Sequence, residues 1–335
     1  MRKDYPGYVL RALALCWLLA LLSACDASAN NGLPPTPTPY VHIQPYTLAG
    51  HADLVTAQAW SPNERFIASA SKDGSVIVWN AVNGQTLYTY HSPSSVVTSL
   101  AWSPDGRRIV SGGSDGVAQS WDATTGNHVL SHHMAFGAVY AVAWSPDGRT
   151  IAGGAAVVEV WNASSGKLIR SLSSTNVFGP SDLGWSSDSQ RLAVGLDNNL
   201  GAQIWSMSSG KMLLSYRPPT QLRTLAWSPN GQAIASGDVN GTLQVWNAKT
   251  GALMTTYRGH TRGTGISRVC WLPDGQRIIS ASRDGTVQIW NAASGKKLFT
   301  YRDPSGDVEA MAVSPDGSYI VTAGIDHKER LALLA

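Results

Sequence analysis

The chain has 335 residues, 43% of them hydrophobic and only 14% charged, with a formal net charge of +3. So small a charge, with no basic run past the first residues, excludes the electrostatic footprint of a nucleic-acid binder and gives no polybasic patch for a membrane. Three cysteines provide no readable disulfide framework, and the high glycine (33) and tryptophan (13) counts suit many short strands and tight turns.

Residues 1–24 carry Arg2, Lys3 and Arg11 against Asp4, followed by an uncharged apolar stretch, Ala12 to Leu22. That stretch is too short for a membrane-spanning helix, which needs roughly 20 apolar residues, and it fits a secretory signal. It ends in Leu22, Ser23, Ala24 and Cys25, which resembles a bacterial lipobox. The resemblance implies that the Cys25 thiol receives diacylglycerol and that cleavage makes Cys25 the mature N-terminus. The expected location is therefore extracytoplasmic, with the chain lipid-anchored to the membrane of a bacterial envelope. Residues 25–39 are rich in Ser, Asn, Thr and Pro, and alternating prolines from Pro34 to Pro39 favour an extended tether.

From residue 40 to 335 the chain repeats itself. Trp60, Trp102, Trp144, Trp185, Trp227, Trp271 and, in the last unit, Val313 mark seven units with a period of about 42 residues, most of them followed by Ser-Pro-Asp-Gly or a close variant. A second series runs in step: Trp79, Trp121, Trp161, Trp205, Trp246 and Trp290. All but one of the thirteen tryptophans thus sit at two fixed phases. Each unit reads as four strands. The first ends at the first-phase Trp, as in Val139 to Trp144, and Ser-Pro-Asp-Gly turns the chain into the second, as in Arg108 to Ser111. A turn such as Ser114 to Gly116 leads to the third, which ends at Trp121 and Asp122, and a turn of Asn-Ala-x-x-Gly type leads to the fourth, as in Lys297 to Tyr301. Near-continuous apolar strands imply sheets covered on both faces, which radially stacked blades provide. The residue before each first-phase Trp is small (Ala59, Ala101, Ala143, Gly184, Ala226, Cys270, Ala312), so Cys270 reads as a buried stand-in for alanine rather than a reactive thiol.

These motifs resemble the WD40 family over about residues 41–335. The resemblance implies an all-β, seven-bladed propeller. It also implies a hydrogen-bonded set of His, Ser or Thr, turn Asp and third-strand Trp within a blade. His51, Asp73 and Trp79 fit that set, as do His260, Asp284 and Trp290; the other blades lack the Gly-His pair and must rely more on packing. Asp115 is a turn aspartate of the same kind, and blade three has Ala155 in its place. The seventh unit ends after its third strand, and Val41 to Leu48 is expected to supply the fourth, closing the ring.

Enzyme-like strings lose their force in this context. Gly112 to Gly116 matches G-x-S-x-G, but it falls in a strand–strand turn and not in a strand-to-helix elbow. Ser164 with Lys167, and Ser208 with Lys211, match S-x-x-K inside turns. No zinc or phosphate motif is present, so no catalytic residue, metal ligand or cofactor is assigned. His132 and His133 read as an exposed loop with Met134 and Phe136, and Phe178 as an apolar residue of another loop that caps the core or meets a partner.

By the WD40 resemblance, partners meet the face formed by the loops between blades and between second and third strands. The residue before the turn Asp and the residue four before the first-phase Trp point there. Lys72, Tyr140, Arg223, Arg283 and Glu309 stand out among them, since arginine and tyrosine are favoured interface anchors. The leading expectation is a monomeric, non-catalytic scaffold that binds protein partners not identified by the sequence. The alternatives are a propeller-type enzyme acting near the channel, or a module for a small ligand or glycan. Inner strands made mainly of Ala, Val, Thr, Ser and Leu argue against the enzyme.

Overall fold

The computed structural model describes residues 45–172, 179–197 and 200–334. The leader, Cys25, the tether and Phe178 lie outside them. The described residues form seven four-stranded antiparallel sheets and no helix, the expected seven-bladed propeller. In blades one to six the strands run in chain order from the axis outward, here called a to d. In blade one they are Val55–Trp60, Phe66–Ser71, Ser75–Asn80 and Thr86–His91.

Turn chemistry sets these lengths. In blade two, Ser103 Oγ donates to Asp105 Oδ1 (2.6 Å) and accepts from Arg108 N (2.9 Å), while Asp105 accepts from Arg107 N (3.0 Å). Gly106 supplies the positive φ (68°) that closes this a–b turn. After strand c, Asp122 accepts from the amides of Thr124 and Thr125, as Asn162 does from Ser164 and Ser165. The two S-x-x-K strings fall in such c–d turns, and Ser114 lies in a b–c turn, its Oγ 3.1 Å from Ser94 Oγ.

The first-phase tryptophans join blades. Trp102, Trp185, Trp227 and Trp271 each donate Nε1 to the carbonyl of the small residue before the preceding blade's Trp: Ala59, Ala143, Gly184 and Ala226, at 2.9–3.2 Å. The small side chain is therefore required by the neighbouring indole. A Cβ on Gly184 would meet Trp227 Cδ1 at 3.3 Å. Cys270 fills this slot fully buried, among Leu272, Ile279 and Met311.

The seventh blade closes as expected, with narrower bounds. Tyr46–Leu48 is its outermost strand and pairs with Glu329–Leu333 through Tyr46↔Leu331, Thr47↔Arg330 and Leu48↔Glu329. The rest of the expected strand, residues 41–44, lies outside the described residues. A buried bond seals the same seam: Gln58 Nε2, on the innermost strand of blade one, donates to Glu329 Oε2 (2.9 Å).

Candidate functional site: the axial funnel

The functional surface depends on how firmly each blade is held. Blade one carries the complete set: His51 Nε2 lies 2.8 Å from Ser69 Oγ, Trp79 Nε1 donates to Ser69 Oγ (2.9 Å), and His51 Nδ1 lies 3.2 Å from Asp73. Burial opposes ionisation of Asp73, but donors from Ser75 and Ala52 and the neighbouring His51 outweigh it, leaving the carboxyl at about 2. Burial lowers the pKa of His51. Blade six repeats the His260–Ser280 and His260–Asp284 contacts (2.8 and 3.1 Å), and its donors, His260 and Thr286 foremost, hold the Asp284 carboxyl well below the carboxylate range against burial. The expected fourth member is missing there. Trp290 Nε1 is buried without a hydrogen-bond partner, and the ring is held instead by stacking on Tyr257 (5.0 Å, 4°).

Blades without the histidine keep part of the set. Trp121 and Trp246 still donate to Ser111 and Ser236 (3.3 and 3.2 Å), and Trp205 donates to Gln203 (3.2 Å). Asp115 only caps its turn, accepting from Val117 N (3.1 Å). A second tie comes from the preceding blade. Tyr90 stacks on Trp121 and Tyr216 on Trp246 (4.5 and 4.4 Å), each donating its hydroxyl to a glutamine two residues before that Trp, Gln119 or Gln244 (both 2.9 Å). His132 occupies the same place in blade two. It stacks on Trp161 (4.2 Å, 7°), and its Nε2 lies 2.8 Å from Glu159 Oε2, where blades two, four, five and six have glutamine. The expectation of an exposed histidine loop is thus corrected for His132: Leu130–His133 is the outer strand of blade two and Met134 is buried, while His133 and Phe136 are exposed.

On this frame the five residues singled out in sequence converge. Lys72 from blade one, Tyr140 from blade three, Arg223 from blade five, Arg283 from blade six and Glu309 from blade seven all line one cavity of about 280 Å³ at the axial mouth. The backbone explains the phase. In blades one, two, four, five and six, strand a has a bulge at Thr56, Thr98, Ser181, Arg223 and Ser267, the residue four before the Trp. A bulge re-aims its side chain, here toward the axis.

Sequence reasoning missed Asp182 and Arg268, which also line the mouth. They stand one residue past the bulge, where most units carry a small side chain, and with Gln58 and Arg223 they interrupt inner strands made mainly of Ala, Val, Thr, Ser and Leu. Arg268 Nη1 lies 3.4 Å from Asp182 Oδ1, and Asp182 Oδ2 accepts from Thr224 Oγ1 (2.9 Å) and Leu225 N (3.0 Å). Arg283 forks onto Glu309, with Nε 3.0 Å from Oε1 and Nη2 3.0 Å from Oε2. The mouth is a rigid, charged concavity suited to recognition. Among the described residues no group of three or more His, Cys, Asp or Glu could hold a metal ion.

Comparison with known proteins places the chain. Residues 96–332 match the family model for the IFT122 first β-propeller, and residues 43–80 match the WD domain, G-beta repeat. The chain is similar to meiotic fizzy-related protein 2 of Schizosaccharomyces pombe (36% identity, 25% of this chain, 16% of the relative). It is also similar to cell division cycle 20.1, cofactor of APC complex, of Arabidopsis thaliana (30% identity, 31% and 23%). A guanine nucleotide-binding protein subunit beta of Oryza sativa subsp. indica is 49% identical over 12% of this chain and 10% of its own. The chain thus spans less than a quarter of the length of these relatives. With seven four-stranded blades and a family model covering well over half of its length, the chain belongs to the WD40-type β-propeller family, in the branch described by the IFT122 first β-propeller.

Proposed function

We propose that this protein is a lipid-anchored, extracytoplasmic docking platform that presents its axial funnel to protein partners and carries out no turnover. The observation behind this reading is the convergence of Lys72, Tyr140, Arg223, Arg283 and Glu309 from five blades on one mouth. Rigid β-blades hold these side chains in place before binding, so little ordering entropy is lost on docking. Two relatives bear names of assembly components, a cofactor of the APC complex and a G-protein subunit; a role in assembly is carried to this chain only within this proposal.

The anchor rests on Leu22 to Cys25 and on the direction of the closing strand. Tyr46–Leu48 runs toward His51 at the funnel end, so the chain enters the fold at the opposite end. There Tyr46 donates to Ala81 O (2.5 Å) and packs on Gly84 in the c–d turn of blade one. An anchor before Pro45 would turn the funnel away from the bilayer. Crosslinked capture from native membranes tests the docking, comparing wild type with a Lys72→Ala, Tyr140→Ala, Arg223→Ala variant of unchanged melting temperature. A protein captured by the first and lost from the second is expected; no specific capture by either defeats the platform. For the anchor, Cys25→Ser is expected to abolish palmitate labelling, and labelling that persists rejects it.

A further inference from the structure

The funnel has more positive charge than its own carboxylates contact. Arg283 is committed to Glu309 and Arg268 to Asp182. Lys72 and Arg223 remain, and among the described residues neither side chain makes a hydrogen bond or an ion pair. Arg223 is half-buried, and its pKa is lowered by burial first and then by the like charge of Arg283; Glu309, Asp197 and Asp307 stand near enough to pull the other way. A partly desolvated guanidinium with no acceptor is unfavourable until an acceptor arrives.

A second observation is independent of charge. At the bulge phase, Thr56 and Thr98 donate their hydroxyls to the next blade, to Val97 O (2.7 Å) and Val139 O. Ser181 and Ser267 hold the same phase in the funnel wall, and their Oγ atoms are buried with no partner. Idle buried hydroxyls are uncommon and need an account.

We propose that the funnel is an anion pocket that receives the carboxylate of an acidic side chain from the docked protein. Arg223 supplies the planar fork that matches a carboxylate in two-point geometry. Lys72 adds a mobile point charge, and the hydroxyls of Ser181 and Ser267, which have no other partner, turn toward the bound anion as further donors. At about 280 Å³ the cavity has room for an acidic side chain. Tyr140, 52% exposed at the rim, offers an apolar face to the stem of that side chain. The proposal rests on the docking reading and adds the chemistry that docking uses.

Isothermal titration of the purified full-length chain tests it, with N-acetyl-glutamate, N-acetyl-glutamine and inorganic phosphate as probes. The acid is expected to bind at least tenfold tighter than the amide. Arg223→Gln and Lys72→Gln should each weaken the acid about tenfold without lowering the melting temperature, and Ser181→Ala severalfold. Equal binding of acid and amide overturns the proposal, as does full affinity in the Arg223→Gln, Lys72→Gln double variant. Phosphate binding tighter than carboxylate at the same residues also overturns it, assigning the funnel to a free oxyanion. The two readings fail separately. If no probe binds while membrane capture depends on the funnel residues, the carboxylate pocket is lost and docking stands. If the acid binds and no protein is captured, docking is lost.

Discussion

Blade one and blade three solve the same problem by different means. Each must fix a large indole near the end of strand c. Blade one does so from within, through His51, Ser69 and Asp73. Blade three has no turn aspartate and no histidine of its own, and it relies on His132 from blade two, stacked on Trp161 and bonded to Glu159. The first arrangement stiffens a blade, whereas the second fastens one blade to the next. The family's internal hydrogen-bonded set is therefore one option, and a ring can substitute contacts between blades for contacts within them.

The largest break in this comparison is removal of the indoles. Trp79→Ala and Trp161→Ala should each cost about 3–5 kcal/mol in chemical denaturation. The former should also cost more than its packing predicts, because Ser69, which joins Trp79 to His51, loses one of its two bonds. Next is His132→Ala, which removes the stack and leaves Glu159 buried with only a weak bond from Ala135 N (3.3 Å); a loss of about 2–4 kcal/mol is expected. The double change His132→Tyr, Glu159→Gln recreates the Tyr–Gln tie of the neighbouring blades. It should return stability to within about 1 kcal/mol of wild type, and a double variant as weak as the single would show that blade three is not equivalent to the others.

A pH titration sharpens the contrast at the seam beside blade one. Burial pushes the Glu329 carboxyl up to about 7, against 4.5 ordinarily. The folded chain therefore holds a proton there that the unfolded chain has released, and stability falls as pH rises from about 4.5 to about 7, by about 2–3 kcal/mol. His51, lowered by burial, acts in the opposite sense, losing stability as pH drops below 6.5. Glu329→Gln should abolish the first component and leave the second, so a variant that still loses stability as pH rises from 5 to 8 would refute the assignment. The smallest effect separates a network aspartate from a turn aspartate. Asp284→Ala should cost about 2 kcal/mol and Asp115→Ala under about 1 kcal/mol, since only the former bonds a buried histidine.

Much of this was legible in the sequence because the repeat is regular. Two tryptophan phases located the strands, and two further phases located the five funnel residues. What the period hid was anything that passes between units. The Tyr–Gln and His132–Glu159 ties join residues 27 to 31 apart in consecutive blades, and a reading that treats each unit alone leaves both partners unexplained. Glu329 lay in a strand with no tryptophan to give its phase. Asp182 and Arg268 stood one residue beyond the bulge, which the repeat pattern does not reveal. Trp290 shows the converse error, since its motif is complete in sequence but its indole stacks on Tyr257 and makes no bond to Ser280.

The closing strand also sets how the molecule bears load. Its ladder bonds to Glu329–Leu333 lie across the strand direction, and residues before Tyr46 pull along it. Tension between that end and the funnel therefore shears the three register pairs together instead of peeling them in turn. Leu48 in the core and the Tyr46 hydroxyl on blade one spread the same tension over two blades. The clasp is thus strongest along the line joining the chain's N-terminal side to its mouth, and weakest when pulled sideways, away from the rim of blade seven.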